Sequence, residues 1–211
     1  MDLIWDGSPQ AKWTLILAHG AGASMHSEYM QYFAEQLSHQ GIQVGRFNFP
    51  YMVTAIETQR RRPPDRAAKL LAAWQEIIGR VRERLAAEGG DQRLAIGGKS
   101  MGGRVASMST NHEGVDALVC LGYPFHPPAK KDKLRIEHLP NIKVPTMILQ
   151  GERDTFGTRT EVRSYRLPRK IKMCWLTDGD HSFKPRKRSG VTQTENWDTA
   201  IESIIGFLGG L

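Results

Sequence analysis

A serine framed by glycines, Gly98-Lys99-Ser100-Met101-Gly102, stands between the apolar run Leu94-Ala95-Ile96 and a segment suited to a helix, Gly103 to Met108. Few chain paths accommodate strand, tight turn and helix in immediate succession, and the pattern is that of a nucleophile elbow. A serine on so sharp a turn takes strained backbone geometry, and side chains two residues to either side would collide. Gly98 and Gly102 remove those side chains, so the Ser100 hydroxyl can project above a sheet. The helix that begins at Met101 then aims its free N–H groups at the place where an oxyanion forms. Gly98-Lys99-Ser100 also matches the end of a phosphate-binding loop, but the first glycine of that motif would have to stand where the chain has Arg93. The phosphate loop is excluded.

A serine nucleophile needs a base, and the base needs an acid to orient it. With this type of elbow the two follow in the order acid, then histidine. Val144 to Gln150 reads as a buried strand running into Gly151-Glu152-Arg153-Asp154. Ile171 to Leu176 reads as another, followed by Asp178-Gly179-Asp180-His181. Loops past the carboxyl ends of strands share the rim on which open α/β sheets carry their sites. Asp154 is the expected acid, since it lies further into its loop than Glu152, and His181 is the expected base. Asp178 and Asp180 are nearer to His181 in sequence, but neighbours on one loop rarely turn their carboxylates back onto the imidazole. His19, His26, His39, His112, His126 and His138 do not fit the order.

Trp13 to Ala18 reads as an early apolar strand, with His19-Gly20-Ala21-Gly22 directly after it. Small residues there let backbone approach a substrate, so Ala21, with Gly22 as the alternative, is the expected oxyanion donor beside Met101. His19 is expected to fix this loop by hydrogen bonding rather than to catalyse. Gly22, Tyr123 and Phe125 are candidate substrate contacts. The latter two lie in the segment from Gly122 to Pro140, the only one expected to cover the site.

The rest of the chain alternates strands and helices. Tyr29, Phe33 and Leu37 mark one helix that stops at Gly41, and Ile42 to Phe47 follows as a strand. Pro63-Pro64-Asp65 opens a long helix with Leu70, Trp74, Ile77, Ile78, Val81 and Leu85 in one stripe. Val115 to Leu121 reads as a buried strand. A capping box from Thr192 to Glu195 starts the last helix, whose buried stripe is Trp197, Ile201, Ile204, Ile205 and Leu208. Six strands are legible, and alternation implies a mostly parallel sheet with helices on both faces, a trimmed α/β fold without the usual antiparallel first strands. At 211 residues, 40% of them hydrophobic, one domain over residues 1–211 is expected, with no large lid. No stretch approaches a membrane span, and the acidic start Met1-Asp2-Leu3-Ile4-Trp5-Asp6 has no export signal. Cys120 and Cys174 fall in apolar strands and suggest no disulfide framework, so a cytoplasmic protein is expected.

As a set, these motifs resemble a small α/β-hydrolase-like family that includes a testis-expressed protein and a subunit of a nonspecific-lethal chromatin complex, with dienelactone hydrolases as broader relatives. The resemblance rests on Ala18 to Ala23, Arg46-Phe47-Asn48-Phe49-Pro50-Tyr51, Arg62-Pro63-Pro64-Asp65, Gly97 to Arg104, Leu121-Gly122-Tyr123-Pro124 and Gly151 to Asp154. It implies an α/β-hydrolase fold and a triad of Ser100, Asp154 and His181. The segment from Val53 to Arg60 is longer than the family's usual connection. The expected activity is that of a serine hydrolase on an ester, thioester or similar acyl substrate, with no metal or organic cofactor. The rival reading is a non-catalytic binding module of the same fold that retains the site.

The net charge of +7 raises a second rival. Arg60-Arg61-Arg62, the run Lys184 to Arg188, and the looser group Lys130, Lys131, Lys133 and Arg135 are basic clusters. No nucleic-acid fold signature accompanies them, so solvated surface is expected rather than a nucleic-acid site. The run after His181 is close enough in sequence to rim the pocket and favour anionic substrates.

Overall fold

Apolar strands that alternate with amphipathic helices can bury both faces of a sheet only if the strands run parallel. The computed structural model, which describes residues 1–211, contains one sheet of seven strands. They are β1 (Leu3–Asp6), β2 (Trp13–Ala18), β3 (Ile42–Phe47), β4 (Arg93–Lys99), β5 (Ala117–Leu121), β6 (Thr146–Gly151) and β7 (Ile171–Leu176). Their order across the sheet is β1-β3-β2-β4-β5-β6-β7, parallel throughout except for β1 against β3.

Strand β1 corrects the expectation that the antiparallel start of the sheet is missing. Its four residues are all half-buried and too few to display a period. It is held instead from β3, where Leu3 pairs with Phe47 and the Arg46 guanidinium reaches the Asp6 carboxylate at 3.0 Å.

Six α-helices cover the sheet: α1 (Glu28–His39), α2 (Pro50–Thr58), α3 (Ala67–Ala87), α4 (Met101–Met108), α5 (Arg159–Arg163) and α6 (Gln193–Gly209). In α1, Met30, Phe33, Ala34 and Leu37 are buried, the spacing of one helical face. They pack with Trp197, Ile201, Ile204 and Phe207 of α6 on Leu15, Val44, Ala95 and Val119 of the sheet. Ile205, expected in the α6 stripe, is only half-buried, and Phe207 takes the core position. The α6 capping box is present, with the Glu195 N–H donating to Thr192 Oγ1 at 3.2 Å. On the opposite face α3 lays Leu70, Trp74, Ile77, Ile78, Val81 and Leu85 over Ile16, Phe47, Ile96 and Leu118.

Helix α2 was not legible, because only Tyr51 of its nine residues is buried and no stripe results. The segment after β5 also departs from expectation. Tyr123, Phe125 and Leu139 are fully buried within the α3 side of the core, while residues 128–133 between them are exposed, and none of this stretch lines the Ser100 cavity. No helix is long and apolar enough to cross a membrane.

Trp74 is fully buried, and its ring meets Phe47 edge-on with centroids 5.0 Å apart. Trp74→Ala is therefore expected to cost about 3–5 kcal/mol in urea unfolding, since a large cavity would open between α3 and the sheet. Ile56→Ala on α2, where the side chain is exposed, should change stability by no more than about 0.5 kcal/mol. Equal losses in the two variants would contradict this placement of the core.

Candidate active site

Ser100 sits between the end of β4 and the start of α4 with φ 52° and ψ −114°. This is strained backbone for a residue with a side chain, and it persists only where the surroundings over-determine it. Two hydrogen bonds contribute, from Ser100 N–H to the Leu121 carbonyl and from Arg104 N–H to the Ser100 carbonyl, each 2.9 Å. The flanking glycines act against a neighbouring strand rather than within the turn. A β-carbon on Gly98 or Gly102 would run into the Ala18 carbonyl, so their absence lets the end of β2 press against the elbow.

The structure brings Ser100, His181 and Asp154 into one hydrogen-bonded chain. Ser100 Oγ lies 2.8 Å from His181 Nε2, and His181 Nδ1 lies 2.7 Å from Asp154 Oδ2. Asp154 is fully buried. Its Oδ2 also accepts from Gln150 Nε2 at 2.9 Å, and its Oδ1 accepts from the Phe156 N–H at 2.8 Å. A carboxylate so placed accepts the Nδ1–H, which leaves the lone pair on Nε2 facing the serine hydroxyl. Burial lowers the imidazole pKa below its ordinary value, Asp154 opposes that, and the Lys99 ammonium adds to it. The ring is thus neutral at pH 7 and free to accept a proton.

The other loop carboxylates are engaged elsewhere. Glu152 pairs with Arg159 and accepts the Asp178 N–H at 3.0 Å. Asp178 takes Arg153 and Arg186, while Asp180 Oδ1 accepts the amides of Ser182 at 2.7 Å and Lys184 at 3.0 Å.

A hydrogen-bond frame holds the loop after β2, and it explains the segment Arg46 to Tyr51. Arg46 donates to the Met25 carbonyl at 2.9 Å, and Asn48 Oδ1 accepts the Met25 N–H at 2.9 Å. The Phe49 N–H donates to His19 Nε2 at 3.0 Å, and His19 Nδ1 lies 2.6 Å from the Gly20 carbonyl. Tyr51 donates its hydroxyl to the Ala21 carbonyl at 3.1 Å. His19 is completely buried, and burial pulls its pKa down to about 4. It is a neutral structural group.

Ala21 and Gly22 are exposed on this loop and line a cavity of about 340 Å³ together with Ser100 and His181. Met101 is the first residue of α4, so its N–H has no acceptor within the helix. Ala23, Tyr29, Met30, Lys99 and Phe156 complete much of the wall, and the Phe156 ring lies 4.3 Å from the His181 ring, centroid to centroid. Tyr123 and Phe125 do not reach this cavity. Both have zero exposure, and the Tyr123 hydroxyl donates to the Arg135 carbonyl at 2.7 Å, so their aromatic bulk serves the core. None of Lys184, Arg186, Lys187 or Arg188 lines the cavity, and Arg186 is locked onto Asp178. Another hollow, of about 380 Å³, lies between Pro9 and Gln92 at the amino end of β4, far from the elbow's rim, and has no hydrophobic lining.

Sequence reasoning missed Gln150, Tyr29, Phe156 and a role for Lys99 other than in the rejected phosphate loop. Gln150 carried a signal, a fully buried amide in an otherwise apolar strand one turn before Asp154. Phe156 and Tyr29 carried none, since they meet His181 and Lys99 only through the tertiary fold.

The profile of the alpha/beta hydrolase domain matches residues 11–209, and the chain belongs to that family. Solved structures share the fold at low identity. An alpha-beta serine hydrolase homologue from Coxiella burnetii is 14% identical, with a TM-score of 0.72 over 96% of this chain and 90% of its own. A dienelactone hydrolase from Anabaena variabilis is 19% identical, with a TM-score of 0.67 over 97% and 91%. An esterase from Pyrococcus furiosus is 16% identical, with a TM-score of 0.67 over 95% and 82%.

Neutral His19 makes stability depend on pH. Its folded pKa, about 4, lies below the ordinary 6.5, so between those values the unfolded chain takes up a proton that the folded chain refuses. The associated stability is present above pH 6.5 and is lost as pH falls toward 4, by about 3 kcal/mol in full. Urea unfolding of wild type and His19→Asn is expected to show a gap that narrows by about this amount from pH 7.5 to 4. A gap independent of pH would mean that His19 is not held neutral.

Proposed function

Proceeding from membership of the alpha/beta hydrolase family, we propose that the chain is a serine hydrolase that cleaves an ester, thioester or similar acyl substrate. The carrying observation is the unbroken sequence of short contacts from Ser100 Oγ through the imidazole to buried Asp154. His181 Nε2 takes the hydroxyl proton as Ser100 Oγ bonds to the substrate carbonyl carbon. Asp154 holds the ring in the required tautomer and stabilises the imidazolium that forms. The carbonyl oxygen becomes an oxyanion, met by the N–H groups of Ala21 and Met101. The tetrahedral centre collapses, the bond to the leaving group breaks, and His181 returns the proton to that group. Water then repeats the sequence on the acyl-serine, with His181 again as base, and releases the acid. Every proton is carried by side chains of this protein, so the chemistry needs no metal or organic cofactor. The motif set from Ala18 to Asp154 favours the narrower placement beside the testis-expressed and nonspecific-lethal type of hydrolase.

Ser100→Ala and His181→Ala are each expected to lower 4-nitrophenyl ester turnover by about 10⁶-fold, and Asp154→Asn by about 10⁴-fold, with the fold retained. A fluorophosphonate probe should label wild type and not Ser100→Ala. Wild-type turnover in Ser100→Ala would end this reading, and full activity in Asp154→Asn would remove Asp154 from it.

The pH profile follows from the lowered His181 pKa. Activity on a neutral ester is expected to rise as the ring loses its proton, with a midpoint below 6.5. Asp154→Asn removes the group that raises this pKa, so any residual activity should have its acid limb at still lower pH. A midpoint above 6.5 in wild type would contradict the assignment of His181 as base.

A further inference from the structure

Lys99 is the one Lys or Arg side chain in the lining of the Ser100 cavity, and no carboxylate lines it. It enters from the elbow itself. Its Nζ donates to the His181 carbonyl and lies 5.1 Å from the centroid of the Tyr29 ring and 5.6 Å from that of Phe183. An ammonium has three N–H donors, and aromatic faces offer it only a diffuse attraction. Two of its donors thus have no oxygen or nitrogen partner in the protein. Tyr29 adds a third such donor, because its hydroxyl is buried without a hydrogen-bond partner in a residue that lines the same cavity. Buried donors are costly to leave unpaired, and an acceptor brought by the substrate removes that cost on binding.

Resting on the serine-hydrolase reading above, we infer that Lys99 and Tyr29 form a subsite for a carboxylate carried by the acyl substrate. The cavity lining holds no carboxylate to compete for them. A single ammonium balances one negative charge, which suits a carboxylate and not a phosphate dianion. The remaining walls include Ala21, Ala23, Met30 and Phe156, which suit a short aliphatic chain between the carboxylate and the reacting carbonyl. Burial pulls the Lys99 pKa down to about 8, and the charges of Asp154 and Asp180 resist that shift, so the ammonium is largely protonated at pH 7. Neither carboxylate competes for the subsite. Asp154 is bound to His181, Gln150 and the Phe156 amide, and Asp180 is bound to the amides of Ser182 and Lys184. Selection for an anionic substrate therefore belongs to a residue inside the cavity, and the basic run from Lys184 to Arg188 has no part in it.

The test compares 4-nitrophenyl hydrogen adipate with 4-nitrophenyl hexanoate, which differ by a carboxylate in place of a terminal methyl group. The kcat/KM for each is measured at pH 7 and moderate salt, corrected with the Ser100→Ala protein. Wild type is expected to prefer the adipate by about tenfold or more, the worth of one charge-assisted hydrogen bond. Lys99→Met should abolish the preference, Tyr29→Phe should reduce it, and Lys187→Gln on the exposed run should leave it in place. Should Lys99→Met fail to fold, the wild-type ratio and Tyr29→Phe still decide. A wild-type ratio near one, or a ratio untouched in Lys99→Met and Tyr29→Phe, overturns the subsite while leaving the hydrolase reading intact. Hydrolysis of neither ester, with no fluorophosphonate labelling of Ser100, overturns the hydrolase reading and the subsite with it.

Discussion

The carbonyls of Ala18 and His19 press against the elbow at Gly98 and Gly102 with no space for a β-carbon between them. The parallel register that pairs Ala18 with Gly98 brings them there, and the rest of the site inherits its geometry from this contact. It leaves Ser100 no relaxed conformation, so the strained φ of 52° is held by the surrounding backbone. The same contact sets the loop that carries Ala21 beside the first turn of α4, since a β-carbon on Gly102 would meet the His19 carbonyl. A β-carbon at either glycine would separate β2 from the elbow and displace the loop after β2 and Ser100 together.

Around that contact the protein solves a second problem, that of keeping polar groups inside a dry sheet edge. Asp154 is completely buried, and three donors surround it. His19 is buried as a neutral ring with both nitrogens engaged. Arg46, nearly as buried, divides its donors between Asp6 and the Met25 carbonyl, so one side chain ties the edge strand and the loop after β2 to the same point of β3. The donors and acceptors of Asp154, His19 and Arg46 meet one another or the backbone, which holds these side chains in place. The Tyr29 hydroxyl lacks a partner, and Tyr29 and Lys99 both line the cavity beside Ser100.

Strands β2 to β7 were readable as short apolar runs, because a parallel strand is covered on both faces, and helices α1, α3 and α6 by their 3.6-residue period. Strand β1 and helix α2 were not. Four half-buried residues show no alternation, and a helix with one buried residue shows no stripe. The segment after β5 misled for a different reason. Its basic residues lie at the surface as expected, but Tyr123 and Phe125, expected against substrate, turn inward to the core, and aromatic side chains in a loop do not announce which way they face.

Chain order and local chemistry alone determined the elbow, the parallel sheet, and the candidacy of Asp154 and His181, since each depends on residues close in sequence and on the rim that a parallel sheet creates. Sequence ranked Asp154 above Glu152, Asp178 and Asp180 by position in a loop, and it had no means to see the partners of the other three. Tertiary structure decided that Arg159 engages Glu152, that Arg153 and Arg186 engage Asp178, and that backbone amides hold Asp180. It also decided that the cavity's cation is Lys99 and that the conspicuous run from Lys184 to Arg188 stays outside. Hydrogen bonds and charge pairs act over a few ångströms, and only the fold sets which side chains, tens of residues apart along the chain, come within that reach.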